Sequence, residues 1–287
     1  MNILVVGAAG VIGRRLISLL IKDGHSVVGT TRRPDKSSLI EKMGASPVVV
    51  DVFDREALYR VVREARPNVI IHQLTDLGNR DFAANSHIRR VGTRNLVDAA
   101  RVAGVRQMIA QSIAWTYAPG EDPADESVPL DLTASTSRRD LVESVQALEQ
   151  AVMEMEHGIV LRYGLFYGPG TWYAPGGLIA EQVRQGESIA NEGITSFVHV
   201  DDAAHATLQA LTWPAGIVNI VDDEPAPGSQ WLPIYAASLG VPAPPVNPER
   251  PPSARGASNT KARQHLHWRP RYPSWRQGFM HETGHSV

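Results

Sequence analysis

MNILVVGAAGVIG, residues 1–13, decides the reading of this chain. Asn2–Val6 is a short apolar run of the kind that forms a strand buried on both faces. Gly7, Gly10 and Gly13 follow, and apolar residues then recur at helical spacing from Val11 to Lys22. Strand, glycine turn and helix in that order make a dinucleotide-binding unit. Glycine permits the sharp turn, admits backbone N–H groups close to a pyrophosphate and lets the helix pack closely on the strand. The helix N-terminus adds partial positive charge. A tight turn without a ligand is the competing reading of the same residues.

Working outward, strand and helix patterns alternate through the next 150 or so positions. Strands are expected at 26–31, 47–50, 68–73, 107–111 and 158–163, and helices at 38–43, 55–64, 92–103 and 142–155. Such alternation predicts an α/β fold, a Rossmann-type doubly wound parallel sheet with helices on both faces. After Gly164 the pattern breaks into GPGTWYAPGG (168–177) and the proline-rich VPAPPVNPERPPS (241–253). We therefore expect a dinucleotide-binding core over 1–163 and a small C-terminal substrate lobe, interleaved with late core elements, over 164–287. Asp201 and Asp202 read as N-cap and first-turn acids of the helix that follows them.

Composition narrows the function. The 287 residues are 43% hydrophobic and 20% charged with a formal net charge of −2. That balance suits a globular enzyme and gives no basic excess for nucleic acid. The absence of cysteine excludes disulfides, cysteine nucleophiles and Cys-ligated metals. No apolar stretch reaches about 18 residues and no basic segment precedes the first apolar run, so a soluble, cytoplasmic chain without membrane span or export signal is expected. His199 and His205, and His265 with His267, lack the spacing of a metal site. The only lysines are Lys22, Lys36, Lys42 and Lys261.

At the end of the second strand, where an acid would hold a ribose 2′-hydroxyl, stand Thr31, Arg32 and Arg33. An arginine fork suits a 2′-phosphate, which favours NADP(H) over NAD(H). Asp51, after the third strand, is placed either to accept from the adenine amine or to cap the helix near Arg55.

These features resemble the extended short-chain dehydrogenase/reductase superfamily, in its NAD-dependent epimerase/dehydratase group. The resemblance runs through GAAGVIG (7–13), Asp51–Val52, IIHQLTD (70–76), VGTRNLVDAA (91–100), LRYGLFYGPG (161–170), FVHVDDAAHA (197–206), VNI (218–220) and SNTKARQHLHWRPRY (258–272). It implies cofactor contacts from Gly7, Gly10, Val11, Ile12, Gly13, Thr31, Arg32, Arg33, Asp51, Val52, Gln73, Leu74 and Thr75. It also implies a homodimer through the helices near 92–103 and 142–155, the second of which carries an apolar stripe at Val142, Val145, Leu148, Val152 and Met155.

The resemblance implies a Tyr-x-x-x-Lys pair and a serine as proton relay. Alignment on Glu149 puts Leu141 and Val145 at the pair's positions, and no lysine lies between 43 and 260. Alignment of QSIAWTY (111–117) on the family's serine strand puts Ile113 at the serine position, with Ser112 one residue earlier, where a one-residue slip would restore it. Candidate replacements are Tyr117, Tyr163, Tyr167, Asp76 and Ser112. Nucleotide-sugar enzymes of the group carry an asparagine and an arginine where this chain has Leu165 and Thr195, which disfavours such substrates. Asn79, Trp115, Trp172 and Tyr173 join the tyrosines as expected pocket residues and point to an aromatic or otherwise apolar small molecule. The expected function is an NAD(P)-binding oxidoreductase with a non-standard centre. The alternatives are a non-redox isomerase, lyase or cyclase, and a nucleotide-sensing protein.

Overall fold

The structure, a computed structural model, describes residues 1–77 and 80–282. The strands are β1 (Asn2–Val6), β2 (Ser26–Thr31), β3 (Ser46–Val49), β4 (Val69–His72), β5 (Gln107–Ile113), β6 (His157–Tyr163), β7 (Leu165–Tyr167), β8 (Ile194–Thr195), β9 (Phe197–His199), β10 (Gly216–Ile220) and β11 (Ala226–Pro227). The helices are α1 (Val11–Lys22), α2 (Ser37–Lys42), α3 (Arg55–Ala65), α4 (Phe82–His87), α5 (Thr93–Val102), α6 (Thr136–Met153), α7 (Leu178–Arg184), α8 (Val200–Gln209), α9 (Gly228–Ser238) and α10 (Trp275–Glu282). The central sheet has seven strands in the order β10-β6-β5-β4-β1-β2-β3. β1 pairs in parallel with β2 and β4, β2 with β3, and β4 with β5. Strand order reverses beside β1, the switch point at which open α/β sheets bind ligands. No helix among the described residues is long and apolar enough to cross a membrane.

The described residues fall into two compact units. The first draws on Met1–Ser112, Leu132–Leu161 and Ala204–Ile217, the second on Ile113–Asp131, Arg162–Ala203 and Val218–Val287. In the first, Ile12, Leu16, Ile17 and Leu20 give α1 one buried face, and Asp54 caps α3 by accepting from the Ala57 N–H at 3.0 Å. Asp51 is thereby left out of that cap; it accepts from the Phe53 N–H at 2.9 Å. α6 starts at Thr136, well before its apolar pattern, because its first turns are polar. Its stripe Val142, Val145, Leu148, Val152 and Met155 is buried. Leu148, Val152 and Met155 share one cluster with Leu96, Val97 and Ala100 of α5 and Met108 of β5. Of the two bodies this stripe could face, a second chain or this chain's own core, the residues in that cluster pack on the latter.

The second unit has its own core: Tyr167, Phe197, Leu232, Tyr235, Trp275 and Phe279. The α8 acids correct a simple capping picture. Both lie in the first turn, but Asp202 accepts from the backbone N–H groups of Arg271 and Tyr272 at 2.8 and 2.9 Å, tying the chain near its end to this helix. Asp222 does likewise for Glu224 and Trp275.

Candidate functional site

The glycine turn is built by close approach. Gly7 has φ +94°, and a Cβ there would lie 2.7 Å from the Gln73 carbonyl oxygen. A Cβ at Gly13 would lie 2.3 Å from the Gly7 carbonyl oxygen, so the first turn of α1 can sit on the loop only as glycine. The Gly10 N–H donates to the Gly7 carbonyl at 3.0 Å and the Ala8 N–H to Thr30 at 3.1 Å. α1 opens at Val11 and Ile12, and Gly10 caps it without a side chain. This leaves a helix N-terminus facing a cradle that any Cβ would fill, the geometry a pyrophosphate needs. These residues fit a dinucleotide.

On the β2 side, Thr31 Oγ1 accepts from the Arg33 N–H at 3.1 Å. Arg33 forks onto Asp35 at 3.1 and 2.7 Å. Arg32 Nη2 lies 2.9 Å from Asp76 Oδ2. The structure therefore brings Asp76 to the arginine fork. The Asn95 side chain donates to the Val52 carbonyl at 3.0 Å and fixes the turn after Asp51.

On the β4 side a buried polar group gathers. His72 Nδ1 accepts from the Leu74 N–H at 3.2 Å, which leaves Nε2 to donate to Thr93 Oγ1 at 2.9 Å. Burial, with Arg89 nearby, pulls this imidazole down to about 4, so it is neutral. It braces Gln73, Leu74 and Thr75. Gln73 is buried, and among the described residues neither atom of its side-chain amide has a hydrogen-bond partner. Ser112 donates to Glu149 Oε1 at 2.7 Å, both residues buried. Arg89, in the π-helical turn Ile88–Gly92, is 7% exposed. Burial pulls its guanidinium down to about 10, opposed by the carboxylates of Glu149 and Asp140, so it keeps its charge at neutral pH. Its Nη1 is sealed from solvent with no partner among the described residues. Val145 is fully buried and Leu141 half-buried on α6.

Arg89 and Glu149 are absent from the expected site. Glu149 had a signal, a charge four residues after Val145 on the apolar face of an amphipathic helix. Arg89, in a basic pair, had none. Asn79 lies outside the described residues.

The aromatic candidates belong to the second unit, and three of the six, Tyr117, Tyr163 and Tyr167, are core. Tyr117, Tyr163 and Tyr167 are fully buried. The Tyr117 hydroxyl donates to Asn219 Oδ1 at 2.5 Å, with the Arg162 guanidinium 4.8 Å from the ring centre. Burial pushes this phenol up to about 12. Tyr167 meets Phe197, His199 and Phe279 edge-on, and Tyr163 tilts against Phe166. Tyr173 packs among Phe197, Trp231, Tyr235 and Phe279, and burial raises its phenol as well. Trp172 is half-buried and Trp115 is exposed. Tyr167 thus lies in the core of this unit, and Tyr173 packs against it.

Comparison with known proteins agrees with this geometry. The sequence pattern of the NAD dependent epimerase/dehydratase family matches residues 3–221. A 3-diazoavenalumate denitrifying reductase from Streptomyces sp is 42% identical over 308 aligned positions, covering 98% of this chain and 100% of that protein. A UDP-glucose 4-epimerase from Mycolicibacterium smegmatis is 26% identical over 296 positions, covering 94% of each chain. Among solved structures, the UDP-glucose 4-epimerase of Thermus thermophilus in complex with NAD superposes with a TM-score of 0.78 at 26% identity, over 99% of this chain and 98% of that one.

Proposed function

Since the chain belongs to the NAD-dependent epimerase/dehydratase family, we propose that it is a nicotinamide-dependent reductase that delivers hydride to a small, aromatic, non-sugar electrophile. The substrate class we favour is a diazo carboxylate. The observation that carries this reading is the hydrogen bond from Ser112 to Glu149. A serine hydroxyl has one hydrogen to donate, and here it is committed to a buried carboxylate, so it does not polarise a substrate carbonyl. Leu141 and Val145 offer no acid on α6, and the phenol of Tyr117, raised to about 12 inside a packed core, is poorly matched to proton transfer at neutral pH.

A diazonium group needs no such acid. The nicotinamide, when bound, supplies hydride. A hydride placed on the terminal nitrogen would give R–N=N–H, and loss of N2 would then break the carbon–nitrogen and nitrogen–hydrogen bonds and form a carbon–hydrogen bond. The balance is R–N2⁺ plus H⁻ giving R–H plus N2, with no proton taken from the protein. The Streptomyces relative, whose name states a diazo substrate and a denitrifying reduction, supports this class. Leu165 and Thr195 argue against nucleotide sugars. The chain's own residues then bind and orient: the Gly7–Gly13 turn holds the pyrophosphate, and Arg32 and Arg33 exchange their carboxylates for a 2′-phosphate, which favours NADP(H). A homodimer through α5 and α6 stays in this reading on the family resemblance alone.

The test is to mix the chain with NADPH or NADH and a small aryl diazonium carboxylate, measuring loss of reduced nicotinamide and release of N2, with UDP-glucose as a parallel arm. Stoichiometric cofactor oxidation and N2 release are expected. Epimerisation of UDP-glucose, or no protein-dependent oxidation with the diazonium, overturns the reading.

A further inference from the structure

The lysine expected at Val145 would place a cation at this end of the sheet, and the structure supplies one from a different element. Arg89 comes from the turn between α4 and α5, which runs into Thr93, and Thr93 Oγ1 lies 2.9 Å from His72 Nε2 at the end of β4. The Arg89 charge acts on His72 and on Glu149 of α6. Glu149 in turn accepts from Ser112 of β5. A buried cation therefore stands among the ends of β4 and β5. The sheet order β5-β4-β1-β2-β3 sets this group on one side of the glycine turn and Arg32 on the other. A dinucleotide laid across β1, with its adenine nucleotide toward β2 and β3, carries its second nucleoside toward β4 and β5.

We propose that Arg89 holds the second ribose of the dinucleotide, its Nη1 donating to a sugar hydroxyl in place of the missing ammonium. This rests on the dinucleotide reading of the glycine turn. Two features select a neutral hydroxyl over an anion as the acceptor. The carboxylates of Glu149 and Asp140 already act on the guanidinium, so a further anion would add negative charge to a poorly solvated region. An orphaned buried N–H, by contrast, is costly until an acceptor reaches it, and a hydroxyl lone pair suffices. Gln73, next to His72 in the chain, presents a buried amide that also has no hydrogen-bond partner among the described residues. Arg89 is a binding residue in this assignment, and its role does not depend on the electrophile reduced.

The experiment compares ADP with ADP-ribose by calorimetric titration, since the two differ by the second ribose alone. Wild-type protein is expected to bind ADP-ribose more tightly than ADP. Arg89→Met should cut that advantage about tenfold or more, the effect of losing one hydrogen bond from a charged donor, with ADP affinity unchanged. Arg89→Lys should restore part of it. Retained ADP binding shows that each variant is folded. If Arg89→Met is insoluble, the double variant Arg89→Met with Glu149→Gln removes the carboxylate left without its cation and takes its place. An ADP-ribose advantage that survives in Arg89→Met removes the assignment and leaves the cofactor reading standing. Equal weakening of both ligands makes Arg89 a structural residue and also overturns it. A wild-type chain that binds neither ligand overturns the cofactor reading and this assignment together.

Discussion

Replacing Gly7 by alanine should damage folding and cofactor binding through two separable effects. At φ +94° an L side chain is strained by about 1–3 kcal/mol. The new Cβ would also stand 2.7 Å from the Gln73 carbonyl oxygen and 2.8 Å from its carbon, inside the 3.4 Å at which ordinary contact begins. Both are backbone atoms of a turn braced by His72, so relief requires moving the loop or the strand end, an overpacking cost of about 1–3 kcal/mol. Gly24 supplies the control: its φ is +80°, but nothing lies within 4 Å of a Cβ there. Gly24→Ala therefore carries the strain without the clash. Urea denaturation should find Gly7→Ala less stable than Gly24→Ala by about 1–3 kcal/mol, the difference being the clash. Displacing the turn also misaims its amides, so ADP should bind Gly7→Ala at least about tenfold more weakly, the worth of one charge-assisted hydrogen bond, and Gly24→Ala normally. Equal stabilities for the two variants, or unimpaired ADP binding by Gly7→Ala, would refute the claim that close approach to Gln73 shapes the site.

Arg32→Ala should weaken NADP about 10- to 100-fold and leave NAD unchanged. Asp76→Asn should leave NADP binding equal or at most about fivefold tighter, because the exposed pair it breaks is worth no more than about 1 kcal/mol; fluorescence titration of both cofactors checks each variant. Tyr117→Phe removes the donor to Asn219 Oδ1 and should lower stability by about 1–2 kcal/mol with turnover nearly unchanged, whereas a hundredfold rate loss would make Tyr117 the acid. Burial raises Asp222 well above its ordinary 3.8, so the folded chain binds that proton more tightly than the unfolded one. Its contribution is therefore greatest at low pH and falls as pH rises from about 3.8 toward the folded value. The stability advantage of wild type over Asp222→Asn should shrink between about pH 4 and pH 7 in denaturation curves, and an advantage that grows over that range contradicts the buried geometry.

The parts of the molecule that could be read directly were those whose cause is local. The glycine turn declares itself because strand, turn and helix periodicity lie in one unbroken stretch, 1–22, and the doubly wound core follows from the alternation after it. The helix near 142–155 was legible as an apolar stripe, but not which body it faces, since a stripe has the same spacing against its own sheet as against a second chain. The aromatic loops show a related effect. Tyr167 and Tyr173 look like ligand contacts when their only visible neighbours are glycine and proline, and they become core once Phe197, Trp231, Tyr235 and Phe279 are brought in from far along the chain.

The sequence by itself determined the glycine turn, the arginine pair after β2 and the absence of lysine between 43 and 260, because each is a matter of residue type at a fixed place. Only the tertiary structure decided who meets whom. Asp76 joins Arg32 across 44 positions, Ser112 spends its hydrogen on Glu149 across 37, and Tyr117 gives its own to Asn219 across 102. Such pairings leave no periodic trace in the chain. Burial then fixes their protonation and donor state: a hydroxyl, an imidazole or a guanidinium takes its chemistry from the partners and the dielectric that folding places around it.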